Sequence, residues 1–191
     1  ILIATGGPWN CSEHSGEIDE IPAGTGRRFV VLAMDENGMI IYQGKIEAVV
    51  INPREINTLN PIYAYPFVPR LIRPEDGETV HINGFSFAWE AIGNAELYNL
   101  TIARNDAFSK DRQDHAVPKP VNPIDSAMIE FTTNNLDKDS IYFWKVYAID
   151  QFGNESADSA VRQFRTDPHH APDVFIDQPE NGDTFALGQF I

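Results

Sequence analysis

The sequence predicts an all-β protein built from sandwich modules, and three observations support that prediction. In residues 142–149 an apolar set alternates with a set that includes Lys145, which is the period of a strand with one buried face: Tyr142, Trp144, Val146 and Ala148 against Phe143, Lys145, Tyr147 and Ile149. Short apolar runs recur between residues 70 and 166, about seven in all, which is a sandwich count. The 13 Gly and 13 Pro fall largely between such runs, where turns are expected.

Charge and hydropathy exclude several classes of partner. The 191-residue chain has 28 Asp and Glu against 14 Lys and Arg, a formal net charge of −14. Because phosphate binding needs a basic surface, we expect no nucleic-acid partner, and the same charge disfavours anionic membranes. No apolar run approaches the length of a membrane span, so we expect no membrane insertion.

The middle of the chain, residues 70–166, has the clearest strand pattern. Residues 85–89 and 97–103 alternate, whereas the prolines that follow, from Pro118 onwards, suit an edge or a loop. Short strands are also expected at 127–132 and 160–165. Tyr142 enters its strand six residues after Leu136, from a polar turn, and can send its hydroxyl back to the turn backbone as a tyrosine corner. The predicted core residues are Phe87, Trp89, Tyr98, Leu136, Tyr142, Trp144 and Val146.

The first part of the chain predicts strands that end in a hairpin turn. Strands are expected at 28–34, 39–44 and 46–51, and Asn37-Gly38 between apolar runs is a strong hairpin signal. Residues 33–38 and 148–153 share one pattern: Ala, an apolar residue, Asp, two further residues, then Gly. We interpret this as the same strand-and-turn motif occurring twice.

These features resemble the fibronectin type III and immunoglobulin-like β-sandwich modules of bacterial secreted or surface proteins, best over residues 70–166. The resemblance implies a sandwich fold, and it suits spacing, adhesion and recognition alike. The sequence has no Arg-Gly-Asp, so the family's best-known integrin contact has no counterpart. The matching positions are the core Trp of strand B, the Tyr of strand C, the Leu and Tyr of the corner, and the F–G hairpin: Trp89, Tyr98, Leu136, Tyr142, Ala148 and Gly153-Asn154.

The expected organisation is a tandem of immunoglobulin-like and fibronectin type III modules, incomplete at both ends. Residues 1–65 are predicted to be a β-rich immunoglobulin-like module, present in part. Residues 66–167 are predicted to be a fibronectin type III-like sandwich, reached through a stiff connector with three prolines and three aromatics in residues 60–70. Residues 168–191 are predicted to be the opening strands of a further immunoglobulin-like module, or a strand that pairs with a neighbour.

Calcium is the one ion that the sequence makes worth testing. Hard oxygen ligands cluster in turn-rich places, although Asp and Asn also form tight turns without any ion, which is the interpretation we favour. No twelve-residue EF-hand spacing occurs, and no other cofactor is expected. The candidate ligands are Asp35, Asp150, Asp158 and Asp173.

We expect no catalytic activity. The sequence has no nucleophile elbow, His-Glu-x-x-His, P-loop or dinucleotide fingerprint. The one close histidine pair, His169-His170, has adjacent members, which point to opposite sides of an extended chain. Cys11 is the single cysteine, so no internal disulfide can form.

The predicted function is a non-catalytic structural or spacer role in an extracellular cell-surface, adhesive or fibre-forming protein, with neighbouring modules or identical subunits as partners. Two alternatives stay open. One is a recognition module of a secreted enzyme that binds glycans or surface proteins. The other is a subunit of an extracellular polymer assembled by strand exchange. Recognition would use the aromatics near the first junction or on the outer face of the Tyr142 strand: Trp9, Tyr63, Tyr65, Phe67, Phe143 and Tyr147.

Overall fold

The structure, a computed structural model, describes residues 4–120 and 128–167. Within these ranges the chain forms eleven strands, one 3₁₀ turn at Cys11–Glu13, and no helix of membrane-spanning length and hydropathy. The strands are β1 (Gly24–Met34), β2 (Ile40–Ile51), β3 (Tyr65–Pro66), β4 (Leu71–Arg73), β5 (Glu78–Val80), β6 (Phe87–Glu90), β7 (Ala95–Ala103), β8 (Gln113–Pro118), β9 (Met128–Phe131), β10 (Ile141–Asp150) and β11 (Arg162–Thr166).

Residues 71–166 form a two-sheet sandwich, which confirms the all-β prediction. One sheet has the order β4-β6-β9, and the other has the order β5-β11-β10-β7-β8. All pairings in these sheets are antiparallel except β5 with β11. Strands that are not consecutive in sequence are neighbours in both sheets, so the chain crosses from one sheet to the other as in a Greek key. Pro118 ends the edge strand β8, where a missing N–H costs no ladder hydrogen bond.

The core of the sandwich is aromatic. The indole of Trp144 on β10 meets the ring of Phe87 on β6 edge-on, with centroids 5.1 Å apart, and Trp89 meets Tyr98 at 5.7 Å. Such pairs contribute about 0.5–1.5 kcal/mol beyond their buried area. All seven predicted core residues are buried, so the alternation of 142–149 identified the inward face correctly.

The tyrosine corner is present as predicted. The backbone N–H of Asp137 donates to the Tyr142 hydroxyl at 2.8 Å, beside the buried Leu136. The sequence did not indicate a second device at the same turn. The hydroxyl of the fully buried Thr166 accepts from Ser140 N at 3.0 Å and donates to Asp137 O at 2.7 Å.

Replacing Tyr142 by Phe is expected to lower the free energy of unfolding by about 1 kcal/mol, because Asp137 N–H loses its acceptor while the ring remains. Urea denaturation measures the change. Tyr63→Phe is the control, since Tyr63 is 73% exposed and its change should have no effect. Equal stabilities of Tyr142→Phe and the unchanged chain would show that the corner bond contributes nothing.

The first sheet differs from its prediction in one strand. Residues 39–51 were expected as two strands, but β2 is continuous and pairs with β1 and β3. Gly44 does not interrupt it. Instead, a Cβ at Gly44 would lie 2.5 Å from the carbonyl oxygen of Tyr63, so glycine is required because the connector backbone crosses there. The hypothesis that residues 1–65 belong to a module of their own stays a prediction, and the one for residues 168–191 lies outside the described residues.

Candidate functional site at the junction of hairpin and sandwich

The two turns predicted to be alike are built alike. In each, the Asp Oδ1 accepts N–H bonds from the residues two and four positions later, at 2.9 and 2.9 Å for Asp35 and at 2.8 and 2.9 Å for Asp150. Three positions after each Asp, a glycine takes a positive φ, 78° at Gly38 and 83° at Gly153. The shared pattern of residue types therefore produced one hydrogen-bonded turn twice.

Asp150 makes more hydrogen bonds than Asp35, because it also joins the β1–β2 hairpin, residues 24–51, to the sandwich. Its Oδ2 accepts from Gln43 Nε2 on β2 at 2.6 Å and from Asn154 Nδ2 at 2.8 Å. Both partners of the cross-junction bond are buried, with Gln43 3% and Asp150 5% exposed. Burial alone would raise the pKa of Asp150, but the four hydrogen bonds outweigh it and hold the pKa below its ordinary value.

Backbone bonds and apolar packing reinforce this connection. Ala157 N donates to Ile40 O at 2.8 Å, and Phe67 N donates to Ile41 O at 2.9 Å. The side chains of Ile40 and Phe67 are buried in the same core cluster as the sandwich tryptophans. The hairpin therefore shares the core of the sandwich.

A groove opens where the connector passes the sandwich. It has a volume of about 310 Å³ and is lined by residues 65–67 of the connector, residues 92–94 of the turn before β7, and Gln43 of β2. A recess of about 10 Å³ adjoins it on the side of Asp150 and Phe152, and Gln43 and Asn94 line both. The recess has room for a single water molecule.

The aromatic residues of the connector divide between core and surface. Phe67 is buried, whereas Tyr63 and Tyr65 are 73% and 66% exposed. Phe143 and Tyr147, on the outward face of β10, are half-buried. Among these candidates, Tyr65 and Phe67 line the groove, and of these two only Tyr65 is exposed.

The three calcium candidates among the described residues, Asp35, Asp150 and Asp158, do not converge as one ligand set, and each already has protein partners. Asp35 and Asp150 hold their own turns, and Asp158 Oδ2 pairs with Lys145 Nζ at 2.6 Å. Asp173 lies outside the described residues. Over residues 4–120 and 128–167, no three His, Cys, Asp or Glu side chains converge as metal ligands would. Calcium binding stays a prediction.

We expect the melting temperature to be the same with excess calcium as with a chelator, because turn amides and Lys145 already use the candidate oxygens. Differential scanning calorimetry measures it. An increase with calcium would contradict this expectation. Separate Asp158→Ala and Asp173→Ala variants would then locate the ion by abolishing the increase.

Two serines after the Asp150 turn were missed by sequence reasoning. Ser156 N donates to Ala148 O at 2.8 Å, while Ser156 Oγ accepts from Ala148 N at 2.9 Å. Ser159 makes the same pair of bonds with Val146, at 2.8 and 3.0 Å. The hydroxyls replace backbone carbonyls along β10, so pairing continues without a regular strand. A Ser-x-x-Ser spacing just after the turn is the one signal that could have indicated this.

The strand order and the corner define the class of the protein, a β-sandwich module. Its fold is fibronectin type III-like, with β4, β6 and β9 facing β8, β7, β10 and β11 across one aromatic core. This assignment rests on the topology and hydrogen bonds of the chain itself.

Comparisons with known proteins found similar solved structures. A Fn3-like protein from Clostridium thermocellum is 15% identical, with a TM-score of 0.34 over 48% of this chain and 86% of its own. The FN1–FN3 domains of chicken CNTN1 are 13% identical, with a TM-score of 0.33 over 68% of this chain and 46% of theirs. This chain therefore spans less than half of the CNTN1 structure. No family model matches the sequence, and no curated protein does.

Proposed function

We propose that this chain is a non-catalytic structural part of an extracellular cell-surface, adhesive or fibre-forming protein, in which the hairpin is held at a fixed angle to the sandwich. The observation that carries the proposal is the buried bond from Gln43 to Asp150. A spacer transmits force or sets a distance only if its parts do not rotate freely against each other. The bond from Gln43 to Asp150 restricts that rotation between hairpin and sandwich.

The energetics of the joint favour a docked hairpin. A two-stranded hairpin alone is marginally stable in water. Burial of Ile40 and Phe67 contributes about 1.5–3 kcal/mol each. A hydrogen bond to a charged group such as Asp150 contributes roughly 1.5–3 kcal/mol more. These terms together favour one rigid unit, whose partners would be neighbouring modules or identical subunits.

Rigidity is tested with residual dipolar couplings. The amides of residues 24–51 and 71–118 should fit one common alignment tensor. In Gln43→Ala, amide hydrogen exchange at Phe67 and Ala157, which donate to the hairpin, should accelerate. Tyr42→Ala is the control, because Tyr42 is exposed on the same strand and makes no side-chain hydrogen bond to the described residues. Two separate tensors in the unchanged chain would overturn the proposal of a fixed angle.

Location is tested independently on the organism that makes the protein. What supports an extracellular place is the resemblance of residues 70–166 to modules of secreted and surface proteins. Antibodies against this chain should label intact cells. Labelling that requires permeabilised cells would overturn the extracellular part of the proposal and leave the rigid joint standing.

Strand exchange remains a second candidate because of one feature of the fold. The outer edge of β1 pairs with no strand among residues 4–120 and 128–167, and such an edge can accept a strand from another chain. The same subunit would then form a polymer. Sedimentation velocity over a range of concentrations tests it, and a concentration-independent monomer would exclude it.

A further inference from the structure

Two side-chain amides at the groove have hydrogen-bonding capacity that the described protein does not use. Gln43 Nε2 is committed to Asp150, which fixes the plane of the amide and directs Oε1 elsewhere. Oε1 accepts no hydrogen bond from the described residues, and although Gln43 as a whole is only 3% exposed, this atom is not fully enclosed. Asn94 is half-buried, lines the same groove, and likewise makes no side-chain hydrogen bond to the described residues.

The walls of the groove are apolar and aromatic. Tyr65, which is 66% exposed, lies on one side of the groove next to Pro66 and the buried Phe67. Ile92 and Gly93 form the other side, and their carbonyl oxygens are taken by Lys119 Nζ at 2.8 Å each, so this turn is held in place. The groove therefore presents one exposed aromatic side chain, one amide held in place by Asp150 and one amide without a hydrogen-bond partner among the described residues.

The chemistry of these groups selects a class of ligand. Amides both donate and accept, which suits hydroxyl groups, and an exposed aromatic ring suits the C–H face of a sugar ring. The net charge of −14 disfavours phosphates and other anions. The volume of about 310 Å³ is at the lower end of small-molecule sites.

We propose that this groove binds a neutral saccharide, with a sugar ring stacked on Tyr65 and its hydroxyls hydrogen-bonded to Gln43 and Asn94. Saccharide binding goes beyond the proposed structural role, and it requires only that the hairpin is docked on the sandwich. Binding and cell-surface location can therefore fail independently of one another.

The test is a ¹⁵N–¹H NMR titration of the whole chain with four neutral tetrasaccharides: cellotetraose, chitotetraose, xylotetraose and mannotetraose. At least one should shift the side-chain amide signals of Gln43 and Asn94, with a dissociation constant in the range of about 1 mM. Tyr65→Ala should weaken binding by about tenfold or more through loss of the stacking face. Asn94→Ala should weaken it as well.

The matched control is Tyr63→Ala, because Tyr63 is equally exposed on the same connector but does not line the groove. Its affinity should equal that of the unchanged chain. The absence of shifts with all four sugars at about 10 mM would overturn the proposal. So would binding that Tyr65→Ala and Asn94→Ala leave unchanged, since the sugar would then lie elsewhere.

Discussion

Replacing Trp144 by Ala is expected to lower the free energy of unfolding by about 3–5 kcal/mol, enough to unfold a marginal module. The indole is fully buried between the two sheets and meets the ring of Phe87 edge-on. Its removal leaves a cavity that neighbouring rings cannot fill, because each is held by its own contacts. Urea denaturation followed by circular dichroism measures the loss.

Phe143→Ala is the matched control for this prediction. Phe143 is the preceding residue on β10, is also aromatic, and points to the opposite face, where it is half-buried. It should cost clearly less than Trp144→Ala. If Trp144→Ala does not fold, Trp144→Phe should still fold with reduced stability. An unfolding curve unchanged by Trp144→Ala would show that β10 does not face the core as described.

Replacing Asp150 by Ala is expected to lower the free energy of unfolding by about 3 kcal/mol, because four donors lose a charged acceptor and one of them, Gln43 Nε2, crosses the junction between hairpin and sandwich. Asp35→Ala is the matched control. It removes the same turn bonds at a half-buried site that has no side-chain hydrogen bond across the junction, and its effect should be clearly smaller. Equal losses in the two variants would mean that the Gln43 bond adds nothing to the turn, and urea denaturation of both variants decides between these outcomes.

The contribution of Asp150 should also depend on pH in a defined direction. Its pKa is held below the ordinary 3.8, so the folded state favours the ionised carboxylate. That stability is fully present above the ordinary pKa and is lost as the pH falls through the lowered one. The difference in stability between the unchanged chain and Asp150→Ala should therefore be constant near neutral pH and shrink below about pH 4. A constant difference down to pH 2 would contradict this.

The sequence predicted most of the sandwich because its signals are local. Alternation along β10 places Trp144 and Val146 on one face whatever the rest of the chain does. The corner needs only Tyr142 and a turn five residues earlier, and the paired turns need only an Asp followed by a glycine three positions later. Each of these devices is complete within a short segment, so residue types and spacing were sufficient.

Edge strand β8 escaped prediction for a physical reason. It places only Val117 fully in the core, and its neighbours Asp114 and His115 give it the composition of a loop. An edge strand is stabilised by the ladder it shares with β7, and that ladder uses backbone groups that every sequence has. The roles of Ser156 and Ser159 could not be predicted for a similar reason. Their hydroxyls replace backbone carbonyls as acceptors for β10, which leaves no apolar pattern in the sequence.

By itself, the sequence determined the inward face of each central strand, the corner and the two matching turns, since those depend on neighbours along the chain. Tertiary structure alone decided that Phe67 enters the core while Tyr65 faces a groove, and that Gln43 meets Asp150 across 107 positions of sequence. Which residues meet over such sequence distances depends on which surfaces of the folded chain are buried against each other. Since this depends on how the hairpin docks, no local pattern encodes it.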